Sequence, residues 1–509
     1  MRVRVLLAVA ASIAALALWS PTALALPGMS LTPTVGPPST LVVVEAGIPA
    51  NNTPVTVSFD TTVVGSGKTS PHGLFRSKFN VSAAATPGVH TVTVEANDGF
   101  SISEVFTVRT NWNEPRYELA RGFDPYENVL SSENVGGLGV IASASWEGHV
   151  RSEPIYTNGM VVTGSDDGTV RAFDPSTGEQ LWSFEAGGQV LGSPIAVFAA
   201  GAPPQSADPC SIAATSSNGS IIGVDPATGA RLWSYDGAGL ISSQPVANGQ
   251  EVIFAGAGGT LTALDGCSGM PLWSMGTPYS GPVQAPLAVP DVELPGGATA
   301  TLIVGCFGDV TAAFDMATGG QVWSHTDPAP DEGPAAYGTL AKARILYGAG
   351  SEIVELNASN GEVVWSHPTA APVTGGVAVN FNKSVTGRGV VKLAPLSVIA
   401  ADEAGGVLAL SVKNGKQLWS AASPGPIEDT SPAVANGVAY LVADPGPLQD
   451  EGSLQALDVS TGAPLFSGSL GAPAAGSAGA PAPSVADGRV YVGGFDGGLR
   501  VFGLGAPAG

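Results

Sequence analysis

The chain has few charged residues, and those it has are mostly of one sign. Only 12% of its 509 residues are charged, and 42 acidic residues against 20 basic ones leave a net charge of −22. This excess of negative charge repels phosphate backbones and anionic lipid surfaces, so nucleic acid is not an expected partner. We interpret the acidity as a source of solubility rather than as a dedicated cation site.

Common catalytic motifs are also missing. The sequence contains no HExxH, GxSxG or Walker motif, and no CxxCH motif that would attach a haem. These absences argue against a zinc protease, a serine hydrolase of the α/β type, a P-loop enzyme and a built-in haem acceptor. We therefore predict no catalytic and no metal-binding residues from motifs alone.

Long apolar runs are confined to the amino terminus. Residues 1–25 combine Arg2 and Arg4 with the run VLLAVAASIAALALW and the sequence PTALA, a pattern typical of a cleaved signal peptide. No later stretch is long and apolar enough to span a membrane. The sequence therefore predicts an exported protein, periplasmic or extracellular after cleavage, without a membrane span.

The chain does contain an internal repeat. The phrase FDPSTGEQLWSF at 173–184 returns as VDPATGARLWSY at 224–235, and five further copies lie at 264–274, 314–324, 356–366, 410–420 and 457–467. Repeats of roughly 40–50 residues with four strand-like runs each, here called A to D, are typical of propeller blades. The repeat therefore predicts an all-β fold.

Each copy carries one large aromatic residue at the same place, and a Trp buries about 150–250 Å². We predict that these residues dock each blade on the next: Trp182, Trp233, Trp273, Trp323, Trp365, Trp419 and Phe466. The last unit, at 489–504, lacks its fourth strand, which residues 139–156 would supply together with Trp146 as the eighth docking residue. Pairing of these amino- and carboxyl-terminal strands removes an exposed edge and predicts an eight-bladed propeller over 138–509.

The repeated Asp, Thr-Gly and Trp resemble the tryptophan-docking repeat of propellers of the pyrroloquinoline-quinone (PQQ) type. That family includes quinoprotein dehydrogenases and non-enzymatic relatives, among them the propeller subunit of the outer-membrane barrel-assembly machine. For a dehydrogenase, the resemblance implies PQQ and calcium as cofactors. Two departures speak against this activity: the adjacent Cys pair of the dehydrogenases is replaced by scattered residues at 210, 267 and 306, and the contexts of their catalytic Asp and calcium ligands are not found.

Two of these cysteines are candidates for a disulfide. Cys210 ends an A–B insertion, and Cys267 lies in the C–D turn of the next blade. Both loops emerge on the same face if the strands alternate in direction, and an oxidising compartment would permit the bond. The alternative is that both are ordinary small core residues.

The resemblance places a cofactor mouth on the face that carries the D–A and B–C loops. Polar residues expected there are the candidates for a cofactor-binding site or funnel mouth: Arg151, Glu153, Gln244, Gln284, Glu428 and Asp429. The alternative is that they are solvated loop residues around a water-filled channel.

The region before the propeller has another pattern. Residues 28–110 alternate apolar and polar positions between Gly, Pro and Asn turns, which predicts a small β-sandwich that resembles the immunoglobulin-like modules of bacterial secreted proteins. Residues 111–137 are expected to form a linker that packs on the propeller, because their aromatic side chains need cover.

Three functions are compatible with these observations. The first is a monomeric, non-catalytic scaffold that binds an envelope or extracellular protein or a surface polymer through the propeller and holds no cofactor. The second is a PQQ-dependent alcohol or polyol oxidoreductase. The third is carbohydrate binding through the amino-terminal sandwich. We favour the first, because the geometry of the repeat accounts for nearly every recurrent residue.

Overall fold

The computed structural model describes residues 27–113, 122–146, 148–205, 207–236, 241, 244–256, 258–279, 284–326, 343–385, 391–446, 450–473 and 481–505. The predicted signal peptide lies outside these residues. Contacts between Cα atoms divide the chain into two compact units. The first comprises the described residues up to 34 with 41–80 and 89–106, and the second comprises 35–40, 81–88 and the described residues from 107 onward. Within the described residues, no helix has the length and apolar character needed to cross a membrane.

Eight strands lie in the amino-terminal part of the chain: β1 (Gly28–Thr32), β2 (Val35–Gly36), β3 (Leu41–Gly47), β4 (Pro54–Phe59), β5 (Thr62–Lys68), β6 (Leu74–Asn80), β7 (Gly88–Ala96) and β8 (Ser101–Val108). In the first unit, β1, β3 and β6 form one sheet, and β8, β7, β4 and β5 follow one another in a second sheet. Phe59 of the second sheet contacts Phe79 of the first, with ring centroids 5.9 Å apart. The two sheets therefore share a core, and the assignment to the immunoglobulin-like class stays a prediction.

The second unit begins with β9 (Phe123–Asp124), a short 3-10 turn (Val135–Gly137) and β10 (Leu138–Ala144). Sheet 1 contains β11 (Ile155–Thr157), β12 (Met160–Gly164), β13 (Thr169–Phe173) and β14 (Gln180–Glu185). Sheet 2 contains β15 (Ile195–Val197), β16 (Ser211–Thr215), β17 (Ser220–Val224) and β18 (Arg231–Asp236). Sheet 3 contains β19 (Val246–Asn248), β20 (Glu251–Gly256), β21 (Thr260–Asp265) and β22 (Pro271–Gly276). Sheet 4 contains β23 (Gln284–Glu293), β24 (Thr299–Phe307), β25 (Val310–Asp315) and β26 (Gln321–Thr326).

Four more sheets follow in chain order. Sheet 5 contains, among the described residues, β27 (Arg344–Ala349), β28 (Glu352–Asn357) and β29 (Val363–Pro368). Sheet 6 contains β30 (Ala378–Val385), β31 (Val391–Ala401), β32 (Gly406–Ser411) and β33 (Gln417–Ala422). Sheet 7 contains β34 (Ala433–Ala435), β35 (Val438–Ala443), β36 (Gly452–Asp458) and β37 (Pro464–Gly471). Sheet 8 combines β38 (Ser484–Ala486), β39 (Arg489–Gly493) and β40 (Leu499–Leu504) with β10.

The first strands of these sheets lie side by side around a central axis. Strands β11, β15, β19 and β23 are successive neighbours, and so are β30, β34, β38 and again β11. This is the arrangement of a β-propeller. Strand β10 pairs antiparallel with β40, from Leu138 opposite Leu504 to Ala144 opposite Leu499. Strand β10, which precedes sheet 1 in the sequence, and β40, the last described strand, therefore share one sheet. This is the pairing expected from the sequence.

The repeated Asp is explained by the turn between the third and fourth strands of six of the described sheets. In sheet 1, Asp174 Oδ1 accepts the backbone N–H groups of Ser176 and Thr177 at 2.8 and 2.9 Å. Equivalent bonds are made by Asp225, Asp265, Asp315, Asn357 and Asp458. A short acidic or amide side chain that bonds the backbone two or three residues ahead stabilises such a turn. The repeated acid is therefore a structural feature of the turn.

The Trp residues of the repeat contact the following sheet through that same turn. Trp182 Nε1 donates to the carbonyl of Pro226 at 2.9 Å, and its ring covers Gly229, where a Cβ would lie 2.8 Å from the indole. Because Gly229 also has φ +70°, glycine is needed there for both space and conformation. The same bond to the next sheet is made by Trp233, Trp323, Trp365 and Trp419.

Three aromatic positions depart from this pattern. Trp273 packs against the apolar cluster shared by sheets 3 and 4, while Met275 lies beside Gly319, the turn glycine of sheet 4. Phe466 makes an edge-on contact with Phe502 of sheet 8 at 5.9 Å. Trp146 lies beyond the end of β10, where its ring stacks on Phe173 at 5.2 Å.

Trp146 therefore does not occupy the docking position predicted for it. In sheet 1, Gln180 lies opposite Phe173 and Trp182 opposite Ala172, with a bulge between them. In sheet 8 the same bulge places Val140 opposite Phe502 and Ala142 opposite Val501. The place of the indole is thus taken by Ala142, because the strand ends before Trp146 is reached.

The cysteines connect two neighbouring sheets. Cys210, just before β16, and Cys267, in the turn before β22, form a disulfide with a Cα–Cα distance of 5.3 Å. This bond links sheets 2 and 3 on the face that carries the A–B and C–D turns. Cys306 is buried in β24, with its Sγ 3.4 Å from Thr311 Oγ1.

Candidate functional site

The six predicted mouth residues lie where the first strands of four sheets begin. Arg151 and Glu153 precede β11, Gln244 precedes β19, Gln284 begins β23, and Glu428 and Asp429 precede β34. Consecutive strands of each sheet run in opposite directions, so a fourth strand ends on the face where its sheet began. The next first strand therefore begins on that same face. Glu428 and Asp429 are exposed, Gln244 is half-buried and Glu153 is buried, whereas the side chain of Gln284 lies outside the described residues.

Arg151 faces an acidic residue of its own sheet. Its Nε lies 3.6 Å from Asp166 Oδ2, and the same carboxylate accepts His149 N at 2.7 Å and contacts His149 Nδ1 at 2.9 Å. Burial opposes ionisation of Asp166, yet the hydrogen bonds from His149 and the charge of Arg151 lower its pKa. This carboxylate is therefore held in its charged form beside Arg151.

Two other arginines on this face form bidentate pairs within the chain. Arg171 donates to both carboxylate oxygens of Asp167, at 3.1 and 2.6 Å, and lies 4.9 Å above the ring of Trp146. Arg500 donates to both oxygens of Asp496, at 2.8 and 2.6 Å. Bidentate pairs are among the strongest side-chain interactions, so these guanidinium groups are committed to internal partners.

Sheet 7 contributes an acidic group to the mouth. Asp444 Oδ2 accepts the backbone N–H of Glu428 at 3.1 Å, and the backbone N–H of Asp429 donates to Thr374 Oγ1 at 3.2 Å. Burial raises the pKa of Asp444 to about 6, and the negative charges of Glu428 and Asp429 act in the same direction. The surroundings of Asp444 therefore favour the protonated, neutral form of its carboxyl group over the negatively charged form.

The axial edges of several first strands are covered by the chain itself. We call residues 109–113 and 122–137 the lead-in segment. Trp112 forms an antiparallel bridge with Tyr156 of β11, with N–H to carbonyl distances of 2.7 and 2.9 Å. The carbonyl of Asn113 accepts the N–H of Ala196 in β15 at 2.8 Å. Strand β9 pairs in parallel with β34 on the side away from β35, which extends sheet 7 toward the axis.

Two large side chains of the lead-in segment are buried against the propeller. Trp112 is fully buried, and its Nε1 donates to Glu153 Oε1 at 2.7 Å. Phe123 packs against Phe381 of β30, with ring centroids 5.1 Å apart. Glu153, predicted as a mouth residue, thus contacts the lead-in segment rather than solvent.

Two carboxylates, the half-buried Asp487 and the buried Glu127, join this segment to the turn of sheet 8. Asp487 accepts Thr110 N at 2.6 Å, Thr110 Oγ1 at 3.1 Å and Tyr156 OH at 2.7 Å. Glu127 accepts the N–H groups of Val129 and Leu130 at 2.7 and 2.8 Å, and that of Gly488 at 3.0 Å. Burial raises the pKa of Asp487 to about 6, although its hydrogen bonds oppose this shift. Burial also raises the pKa of Glu127.

Sequence reasoning did not find this arrangement. It predicted that 111–137 would pack on the propeller, but it gave no indication that the segment follows the axial edges. The segment lies outside the repeat, so no internal comparison defines its position. The available signal was Trp112 with Phe123, two large apolar residues in a stretch without alternation.

Together, the sheets around an axis, the docking indoles and the Asx turns define a propeller of the PQQ-like class. The chain belongs to the PQQ_2 family, described as outer membrane protein assembly factor BamB, whose model matches residues 139–294, 217–409 and 387–505.

Individual relatives share parts of this chain. The outer membrane protein assembly factor BamB of Burkholderia pseudomallei is 25% identical over 194 residues, which are 35% of this chain and 46% of the relative. Lupanine 17-hydroxylase [cytochrome c] of a Pseudomonas species is 51% identical over 39 residues, 8% of this chain and 6% of the relative. The chain thus spans less than half of the length of these curated relatives. The quinohemoprotein alcohol dehydrogenase structure from Comamonas testosteroni has a TM-score of 0.55 at 16% identity and covers 79% of this chain and 81% of that one.

A quinone with a metal ion, the cofactors that the resemblance to dehydrogenases implies, does not fit the described residues. Among them, no group of three or more His, Cys, Asp or Glu side chains is arranged to hold a metal ion. Arg151, Arg171 and Arg500 on the mouth face are paired with Asp166, Asp167 and Asp496. The lead-in segment also covers axial edges of sheets 1, 2 and 7. We therefore derive no reaction step through such a group.

Proposed function

We propose that this protein is an exported, non-catalytic scaffold that uses its propeller to bind a protein or polymer of the cell envelope. The observation that carries the proposal is the lead-in segment, which occupies axial strand edges through Trp112, Asn113 and β9. Because the chain itself covers these axial edges, we place the binding surface on the rim and the loops. The family description, an outer-membrane assembly factor, points in the same direction.

The proposal includes an eight-bladed ring. It is supported by the eight sheets among the described residues and by the pairing of β10 with β40. A rigid ring with short strands and many loops is a suitable platform for a binding surface, because loops tolerate variation while the sheets hold them in place.

Export is part of the same proposal. The signal-like sequence at 1–25 and the disulfide between Cys210 and Cys267 both suit an oxidising compartment outside the cytoplasm. The acidic net charge of −22 suits a soluble protein that avoids nucleic acid and anionic lipid.

The alternative of a PQQ-dependent alcohol or polyol oxidoreductase is tested directly. The full-length mature chain is titrated with PQQ and calcium by calorimetry, then assayed with a panel of alcohols and polyols and a dye acceptor. We expect no saturable heat and no dye reduction above that of a sample without the protein. Saturable binding with turnover would overturn the scaffold proposal in favour of the enzyme.

The carbohydrate alternative has one observation of its own. Residues 28–30, 45–47 and 74–76 of the first unit line an open groove of about 810 Å³, in which Arg76 and Glu45 form an ion pair at 3.0 Å. A glycan array probed with the full-length mature chain and with an Arg76→Ala variant tests this alternative. A signal that the substitution abolishes would assign binding to the first unit.

A further inference from the structure

One junction between neighbouring sheets lacks the large aromatic residue found at the docking position of the other described sheets. Between sheets 8 and 1, the docking position is taken by Ala142. In sheet 1, the turn glycine Gly178 lies against the backbone of Ser143 instead of a Trp ring. A methyl group covers far less apolar surface than an indole, so this junction needs other contacts.

Part of the replacement comes from side chains of the two sheets. Trp146 stacks on Phe173 at an interplanar angle of 15°. Tyr156 of sheet 1 stacks on Tyr491 of sheet 8 at 5.2 Å and 8°. Arg489 of sheet 8 donates to Ser176 Oγ of sheet 1 at 3.1 Å.

The lead-in segment bonds to both sides of this junction. On the side of sheet 8, Asp487 binds Thr110 and the N–H of Gly488 donates to Glu127. On the side of sheet 1, Trp112 bridges Tyr156 and donates to Glu153.

The bonds of the segment continue beyond the two sheets that meet at the junction. Asn113 extends the contact to sheet 2 and β9 extends it to sheet 7. Four successive sheets, 7, 8, 1 and 2, are therefore connected through one stretch of chain.

We propose that residues 109–113 and 122–130 form an internal clasp that holds the ring closed where its two ends meet. The clasp supplies contacts at the axial side of this junction in place of the missing docking indole. Trp146 supplies a further contact, with Phe173, on the mouth face. When the clasp is loosened, the ring opens first between sheets 8 and 1. This device goes beyond the proposed scaffold function and does not depend on the identity of the partner.

Hydrogen exchange on the full-length mature chain tests the clasp. Trp112→Ala removes a fully buried side chain of the clasp, and Asp487→Asn weakens the carboxylate that joins Thr110 to Tyr156. We expect exchange in β10, β40 and β11 to accelerate by about tenfold or more in both variants, because local opening follows the loss of local contacts.

The matched control is Trp365→Ala, which removes a docking indole between sheets 5 and 6. It should accelerate exchange in β28, β29 and β32 and leave β10 and β40 at the rate of the unsubstituted protein. If Trp112→Ala does not fold, Asp487→Asn and Tyr156→Phe provide the same comparison. Unchanged exchange in β10 and β40, or acceleration spread evenly over all sheets, would overturn the proposal.

Discussion

Mild acidification should stabilise this protein. Several carboxyls have raised pKa values in the folded chain because they are removed from water. The pKa is about 6 for Asp487 and Asp444 and about 7 for Glu355, and the pKa values of Asp124 and Glu127 are raised as well. A carboxyl whose pKa is higher in the folded chain than in the unfolded chain binds its proton more tightly when folded. Its contribution to stability is therefore complete at low pH and is lost as the pH rises through the folded pKa.

The size of the effect follows from the difference between folded and unfolded pKa values. Unfolded Asp and Glu titrate near 3.9 and 4.3. Between pH 7.5 and pH 5, linkage then gives about 1 kcal/mol of added stability for each of Asp487 and Asp444 and about 2 kcal/mol for Glu355. Asp166 and Asp167 have lowered pKa values, so their contribution is lost only below about pH 4. Stability should therefore be greatest near pH 5.

Denaturant unfolding followed by Trp fluorescence measures this dependence at pH 5.0, 6.0 and 7.5. The midpoint should rise as the pH falls, and Glu355→Gln should reduce the gain in unfolding free energy by about 2 kcal/mol because the amide does not titrate. The matched control is Glu179→Gln, a change at an exposed turn position, which should leave the pH dependence unchanged. A denaturation midpoint that falls from pH 7.5 to pH 5.0 would show that the pKa values of these carboxyls are not raised in the folded chain.

Three further changes test the packing of the ring. Trp182→Ala removes an indole and its bond to Pro226 and should lower the free energy of unfolding by about 3–5 kcal/mol, measured by denaturant unfolding. Gly229→Ala places a Cβ against the Trp182 ring at φ +70° and should cost about 2 kcal/mol or more, whereas alanine in place of Gly201, where nothing lies within 4 Å, isolates the cost of the positive φ. The double change Cys210→Ser and Cys267→Ser opens a loop with a sequence separation of 57 residues and should cost about 4 kcal/mol, an effect that a reducing agent should reproduce in the unsubstituted protein.

The repeated part of the fold was predictable because each copy restates the same physical requirements. The ring of Trp182 packs on Gly229 across the junction of two sheets, and Asp174 accepts the backbone hydrogen bond that stabilises the Asx turn. A sequence that repeats these residues therefore specifies the strands, the turns and the order of the sheets. The position of the lead-in segment was not predictable in this way. Trp112 and Phe123 lie outside the repeat, so no second copy exists for comparison, and their partners lie in several sheets.

Trp146 illustrates a related limit of the repeat. Its neighbours in sequence resemble those of Trp182 and Trp419, since an SEP sequence follows Trp146 and an SP sequence follows each of the other two. Register is nevertheless fixed by pairing with β40, and the bulge after Val140 gives the docking place to Ala142. Because the pairing partner is at the other end of the chain, local similarity did not reveal the shift.

Glu355 is a departure from the repeat that introduces an ionisable group into the packed interior of one sheet. The residue opposite each docking aromatic is small in six copies: Ala172, Gly223, Ala263, Ala313, Ala409 and Ala456. In sheet 5 this residue is Glu355, which lies opposite Trp365, is 2% exposed and pairs with Arg344 at 3.1 Å. Burial raises its pKa to about 7 even though Arg344 opposes the shift. An ionisable group where the fold favours a small residue therefore makes the stability of sheet 5 depend on pH near neutrality.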